Sequence, residues 1–182
     1  MQKNKQDYVN ELLQNPKYTS NFIEYASDLL SEGAFDSVEE LEKFDSETLS
    51  TLKDATKYKD KIDIKKLVNS GLNATQMYLY ILGVTQKNIP VEKMEVFLKH
   101  PDIPYAKMNY IIEALADGAD LLPYVNFSTD QLYEIFAGVK SGVDYTYYAF
   151  EDLSAEKMII VRLALEKGLS VEINKDTTII IH

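Results

Sequence analysis

The sequence predicts a mainly helical protein, an irregular stack of short amphipathic helices acting as helical repeats, with a C-terminal tail of different character that reads first as a small β-hairpin. Three observations predict it. "FSTDQLYEIFAGVKSGVDY" (127–145) and "LSAEKMIIVRLALEKGLSV" (153–171) share an order of punctuation while sharing few letters. Apolar residues within each recur at the three- and four-residue intervals of one helical face. The tail "VEINKDTTIIIH" instead gathers β-branched residues on both sides of "NKD", the composition of two strands around a turn.

In chain order, "QDYVNELLQ", "TSNFIEYASDLLSEG", "VEELEKF" and "SETLSTLKDA" read as short helices, with Gly33 and Gly71 as stops. The recurring unit comes next. Aligned on the anchors Leu132 and Met158, each copy opens with an apolar residue and a serine, Ser128 or Ser154, whose hydroxyl can accept from an orphaned N–H of the first turn. The apolar stripe is Leu132, Ile135, Phe136, Val139 and Val143 in one copy, and Met158, Val161, Leu165 and Leu169 in the other. Ten residues after the anchor stands Gly142 or Gly168, where a helix end favours a left-handed backbone. "IPYAKMNYIIEALADGADL" repeats the arrangement with Met108, Ile111, Ile112, Leu115 and Ala119 on the stripe and Gly118 ten after the anchor. Weaker copies of the opening mark are "LNATQM", "IPVEKM" and "FDSETL", and Pro90 and Pro104 suit the first helical turn. A lone helix cannot bury its stripe, whereas stacked helices share a continuous core, which is the physical reason for repetition. The expected organisation is an N-terminal helical region 1–71, a helical-repeat region 72–170 and an extended or hairpin tail 171–182. The soft boundary lies near Ser70–Leu72, without a linker. A frayed or partner-paired tail is the alternative to a hairpin; full exposure of its isoleucines would invite aggregation.

At 182 residues and 46% hydrophobic content the chain is long enough for a packed core. It has no cysteine, which excludes disulfides and thiolate chemistry and suits a reducing cytoplasm. No signal-like or membrane-spanning run is visible, so a soluble cytoplasmic protein of a bacterial host cell is expected. The net charge of −10 argues against unaided nucleic-acid binding and for a basic partner. Arg162 is the single arginine, so bidentate guanine readout has almost no raw material.

Charge is uneven along the chain. Glu24 to Glu47 holds nine acids and one lysine, and Asp102 to Glu156 holds ten acids against Lys107 and Lys140. Between them, residues 53–66 hold six lysines and three aspartates. Such runs are commonly solvated helix faces. The functional alternative makes Asp117, Asp120, Asp130, Glu134 and Asp144 contacts to a basic partner, joined by Tyr145 and Tyr147 from the tyrosine-rich "DYTYYAFED". On that view Lys57, Lys59, Lys61, Lys65 and Lys66 of the lysine island meet phosphate at most weakly. In the blander reading of the tyrosine segment, Tyr148 and Phe150 fill the groove between consecutive helices.

No catalytic constellation appears. His100 and His182 are the only histidines and stand in no recognised metal spacing. Phosphate-cradling glycine loops, "GxSxG" and "HExxH" are absent. Glu39, Glu40, Glu42, Asp45 and Glu47 lie close in sequence as a metal-dependent nuclease could require, but abundance of carboxylates is not geometry. No catalytic residue, metal or cofactor is expected.

The unit carried by Ser128, Gln131, Leu132, Gly142, Val143 and Asp144, and again by Ser154, Lys157, Met158, Gly168, Leu169 and Ser170, resembles helical repeats in proteins of Firmicutes mobile elements. Among these it looks most like an anti-CRISPR inhibitor of the type II effector nuclease. The likeness spans about residues 72–173, with a truncated copy at 89–100 and Ser170 where an acid is expected. It implies a non-enzymatic phage or plasmid protein that binds the guide-loaded nuclease and blocks target-DNA engagement or cleavage. A helical-repeat adaptor for protein–protein interaction, with no CRISPR role, is the second reading.

Overall fold

The computed structural model describes residues 3–182, so the first two residues of the expected 1–71 region lie outside it. The described residues form α1 (Lys5–Leu12), α2 (Ser20–Ser31), α3 (Ser46–Thr56), α4 (Ile64–Asn69), α5 (Ala74–Thr85), α6 (Val91–Lys99), α7 (Tyr105–Ala116), α8 (Thr129–Ser141) and α9 (Ala155–Glu166). A two-stranded antiparallel sheet closes the order, β1 (Val171–Ile173) paired with β2 (Ile179–Ile181), with Val171 opposite Ile181 and Ile173 opposite Ile179. The hairpin reading of the tail therefore holds. Single turns of 3-10 helix at Leu122–Tyr124 and Tyr145–Tyr147 punctuate the connections around α8.

The shared opening mark is a helix-initiation device. From α2 to α9 every helix has an apolar or aromatic residue before its cap, and the residue four after the cap is buried: Ile23, Leu49, Leu67, Met77, Met94, Met108, Leu132 and Met158. This is the spacing of a hydrophobic staple, which fixes the angle at which the chain enters a helix. Side chains of Thr19, Asp45, Asp63, Asn73, Ser128 and Ser154 accept from the N–H three residues on. Pro90 and Pro104 stand at the cap itself, one position earlier than expected, and form no side-chain cap bond. "IDIKKL" (62–67), inside the lysine island, is a further copy: Ile62 and Leu67 are buried and Asp63 caps α4.

Two expectations are corrected. "VEELEKF" is not a helix but irregular turns, closed by Leu41 N–H on Val38 O at 3.0 Å and Phe44 N–H on Leu41 O at 3.1 Å. Asp45 is extended (ψ 169°) to cap α3, which ends the segment at Phe44; Leu41 is buried all the same. Two of the clustered acids there are engaged separately. Glu42 accepts from Tyr18 Oη at 2.5 Å and pairs with Lys17 Nζ at 2.8 Å, while Asp45 is the cap.

The second correction concerns the boundary. The structure divides into two compact units between Pro101 and Asp102, not near Ser70–Leu72. In the first unit α1 packs on α2, α2 on α3, and α3 on both α4 and α5, so α5 belongs with the helices upstream. Gln76 ties the end of that unit: its Nε2 donates to Pro101 O at 3.0 Å.

In the second unit α7 packs on α8, α8 on α9, and α9 on both strands. The third residue of each of these helices clamps the connection beyond it. Lys107 Nζ donates to Val125 O at 2.9 Å, and Gln131 Nε2 donates to Glu151 O and Leu153 O, both at 2.8 Å. Lys157 Nζ donates to Thr177 O at 2.7 Å and Thr177 Oγ1 at 2.5 Å. Val125 and Glu151 lie two residues before the apolar residue that opens the next helix. Thr177 stands in the same relation to Ile179, so the hairpin begins where a next helix would enter.

Tyr148 fills the groove between α8 and its successor as expected, fully buried with Oη donating to Glu134 O at 2.9 Å. Burial pushes its phenol well above the ordinary value of 10.0. Phe150, expected beside it, is instead 51% exposed. The pocket for Tyr148 exists because residue 138 has no side chain: a Cβ there would stand 2.1 Å from Tyr148 Oη and 3.2 Å from Tyr145 Cβ. Gly138→Ala is therefore expected to cost about 1–3 kcal/mol, the usual range for overpacking. Urea denaturation checks this: the loss should be smaller when Gly138→Ala is made in a Tyr148→Phe background, which removes the colliding hydroxyl.

Candidate functional site

The acidic and aromatic residues singled out from the sequence all lie in the second unit, on α8 and the connections flanking it. Asp120 is exposed and accepts from Leu122 N–H at 3.0 Å, shaping the turn Leu122–Tyr124. Asp144 is exposed and caps the turn Tyr145–Tyr147, accepting from Thr146 N–H at 3.1 Å and Thr146 Oγ1 at 2.5 Å. Both carboxylates act on Tyr145. Partial burial raises the Tyr145 phenol above 10.0, and Tyr124, Asp120 and Asp144 add to the shift. Tyr124 meets Tyr145 edge-on at 6.0 Å and Phe127 edge-on at 5.4 Å. Two loops distant in sequence thus build one acidic and aromatic cluster. Beyond it Tyr147 projects 54% exposed, close in sequence to the exposed Phe150.

Asp117 joins a second cluster. It pairs with Lys140 Nζ at 2.6 Å, and that ammonium also sits 5.6 Å from the centroid of the Phe136 ring. Phe136 stacks on Tyr110 at 5.3 Å, and Tyr110 meets the half-exposed Tyr133 at 5.4 Å. Asp130 is exposed in the first turn of α8 with no side-chain partner among the described residues. Lys107 and Lys140, the two lysines of the acidic stretch, are both occupied: one holds Val125 O and the other Asp117. Lys140 thus offsets Asp117, while Asp120, Asp130 and Asp144 have no ammonium partner among the described residues.

Glu134 does not belong to the expected contact set. It is only 4% exposed, and its carboxylate accepts from Arg162 Nε at 2.9 Å. Arg162 reaches Glu166 at 2.6 Å through its other arm and holds that carboxyl below its ordinary value of 4.5. The sequence reads Glu134 as one acid of the contact surface. Nothing in the sequence says that α9 brings the chain's single arginine against it.

The lysine island lies in the first unit and the acidic set in the second. Four of its five singled-out lysines are paired: Lys57 with Asp54 at 2.7 Å, Lys59 with Glu32 at 2.8 Å, Lys65 with Asp36 at 3.7 Å and Lys66 with Glu95 at 3.2 Å. Lys61 has no carboxylate partner among the described residues. The island is a seam of exposed ion pairs more than a phosphate-binding stripe, although such pairs are individually weak and exchangeable. Lys59, Lys61 and Lys65 line a shallow open depression with Glu32, Asp60 and Asp63, acids matching cations.

Among the described residues no three His, Cys, Asp or Glu side chains gather into a group that could hold a metal ion, and no helix is long and apolar enough to cross a membrane. No protein-family model, curated protein or solved structure matches the chain.

Two outcomes are expected. Arg162→Ala strands a buried carboxylate and should cost about 3–5 kcal/mol, with much of the loss recovered when Glu134→Leu is added; a chemical-denaturation double-mutant cycle measures it. For the island, gel shifts with duplex DNA should show weak retention at low ionic strength that is lost by about 150 mM salt. Replacing Lys57, Lys59, Lys61, Lys65 and Lys66 with glutamine should remove what retention there is.

Proposed function

We propose that the protein is a non-catalytic binding protein whose second unit docks through its acidic, aromatic surface on a basic, nucleic-acid-handling protein. The repeat resemblance directs the choice of partner to the guide-loaded type II CRISPR effector nuclease, with block of target-DNA engagement or cleavage as the consequence. One observation carries the binding mode. Asp120 and Asp144 converge on Tyr145 beside the exposed Tyr147, in a stretch whose two lysines are already engaged. Carboxylates of this kind accept from lysine and arginine, and a tyrosine face can stack on a guanidinium. Such a surface would be steered toward the positive channel that holds a guide–target heteroduplex. Asp130 extends the acidic field onto α8, whereas Asp117 is offset by Lys140.

A cleavage assay with purified nuclease and guide, with and without molar excess of this protein, tests the inhibitor reading. Cutting at an unchanged rate would end it, and tight binding without slower cutting would leave an adaptor. If steering drives the encounter, changing Asp117, Asp120, Asp130 and Asp144 together to asparagine should slow association about tenfold at low salt and much less at high salt. Stopped-flow association rates measured against ionic strength give this directly.

A further inference from the structure

We infer that a second copy of this chain docks on the C-terminal hairpin, β2 against β2, giving a twofold-symmetric dimer. The inference is independent of the proposed function. It starts from the register within the second unit. Tyr110, two residues after the anchor of α7, stacks on Phe136, four after the anchor of α8. Glu134, two after the anchor of α8, pairs with Arg162, four after the anchor of α9. Each helix thus offers its second post-anchor position to its successor. On α9 that position is Ile160, which is 48% exposed, and Leu163 one turn further is 43% exposed. The hairpin takes the place where a next helix would enter but supplies no helix to cover this face. It adds Ile180 and Ile181, 38% and 43% exposed. Within the described residues no successor covers this face, and Ile160 and Leu163 of α9 stay half-exposed, as do Ile181 and, on the opposite face of the strand, Ile180.

Backbone chemistry selects the mode of docking. Ser170 and His182 exchange both N–H···O bonds, so the alternation of an antiparallel ladder makes Glu172 and Ile180 the next bonded pair. The N–H and C=O groups of Ile179 and Ile181 therefore point away from β1, along the free edge of β2, and have no partner among the described residues. An exposed apolar edge of this kind is a template for another strand. β2 is also self-complementary. An antiparallel pairing centred on Ile180 sets Ile179 opposite Ile181 of the second copy and the reverse, so the outward groups satisfy one another while two Ile180 side chains meet at the axis.

Charge points to a second copy over a basic or acidic partner. Residues 153–182 contain Glu156, Glu166, Glu172 and Asp176 against Lys157, Arg162, Lys167 and Lys175, a balance of zero, while the whole chain carries −10. Two copies meeting here bring neutral segments together and keep their acidic surfaces elsewhere, whereas steering of a charged partner would need a net sign.

Sedimentation equilibrium on the full chain, from micromolar to submillimolar concentration, tests the inference. A mass rising to twice that of the monomer is expected. Ile180→Lys, which sets like charges opposite each other at the axis, should raise the dissociation constant at least about tenfold, with the melting temperature of the monomer retained. Ile181→Pro removes an outward N–H that β1 does not use and should act in the same direction. In hydrogen exchange of the unaltered protein, the Ile179 and Ile181 amides should slow as concentration rises, a readout that needs no variant. A monomer at every concentration overturns the inference, as does a dimer that persists unchanged in Ile180→Lys.

Discussion

The burial of one side chain four residues after each helix cap is the constraint on which the rest of this structure depends. From Ile23 to Met158 that position is buried in all eight helices after the first. These helices run from 6 to 13 residues, too short to be stable alone in water. They persist because the cap fixes where each helix begins and the residue before it fixes how the chain enters, so the same position always turns inward. Removing a buried leucine or methionine typically costs about 2–5 kcal/mol, against a total of about 5–15 kcal/mol for a small protein. Variation in connection length is then tolerated, since register is reset at every cap.

That constraint is legible in the sequence because it is local. Cap, anchor and stop occupy fixed offsets, and Ser128, Leu132 and Gly142 announce α8 before any contact is known; Gly142 is indeed left-handed at φ 74°. The hidden features depend on partners distant in sequence. Gln131 and Lys157 stand out as a recurring polar letter, but their reach to a carbonyl about twenty residues on cannot be read from spacing. Glu134 looks like another surface acid until Arg162 faces it, and Gly138 looks like an ordinary small residue until Tyr148 needs its space. The boundary is misread near Ser70 for the same reason, since the packing of α5 on α3 leaves no compositional trace there.

The candidate site divides along the same line. Composition alone marks the acidic stretch and the tyrosine-rich connection, and Asp120, Asp130, Asp144 and Tyr147 are exposed. That Asp120 and Asp144 belong to one cluster is a product of the fold, in which the turn before α8 and the turn after it meet at Tyr124 and Tyr145. The lysine island shows the converse. Six lysines in fourteen residues suggest a cationic patch, yet acids in the island itself, in and next to α2, in α6 and at Asp36 take up five of them. Charge runs read along a chain overstate the fields that survive folding.

The end of the array is where local and non-local rules conflict. Lys157 obeys the rule of the third helical residue and finds Thr177 at the same interval at which Gln131 finds Glu151, so the clamp is made whether or not another helix is there to be positioned. The chain beyond Ser170 is a β-branched run that favours strands over a helix, and Thr177 adopts a left-handed backbone at φ 62° as the chain turns back. The hairpin therefore satisfies the clamp and, through the burial of Val171, part of the α9 surface. It cannot satisfy the face that every preceding helix of the unit gives to a successor, because three strand residues cover less than a helix. Where the pattern would place a next helix the chain forms a hairpin, and Ile160 and Leu163 on the forward face of α9 stay half-exposed.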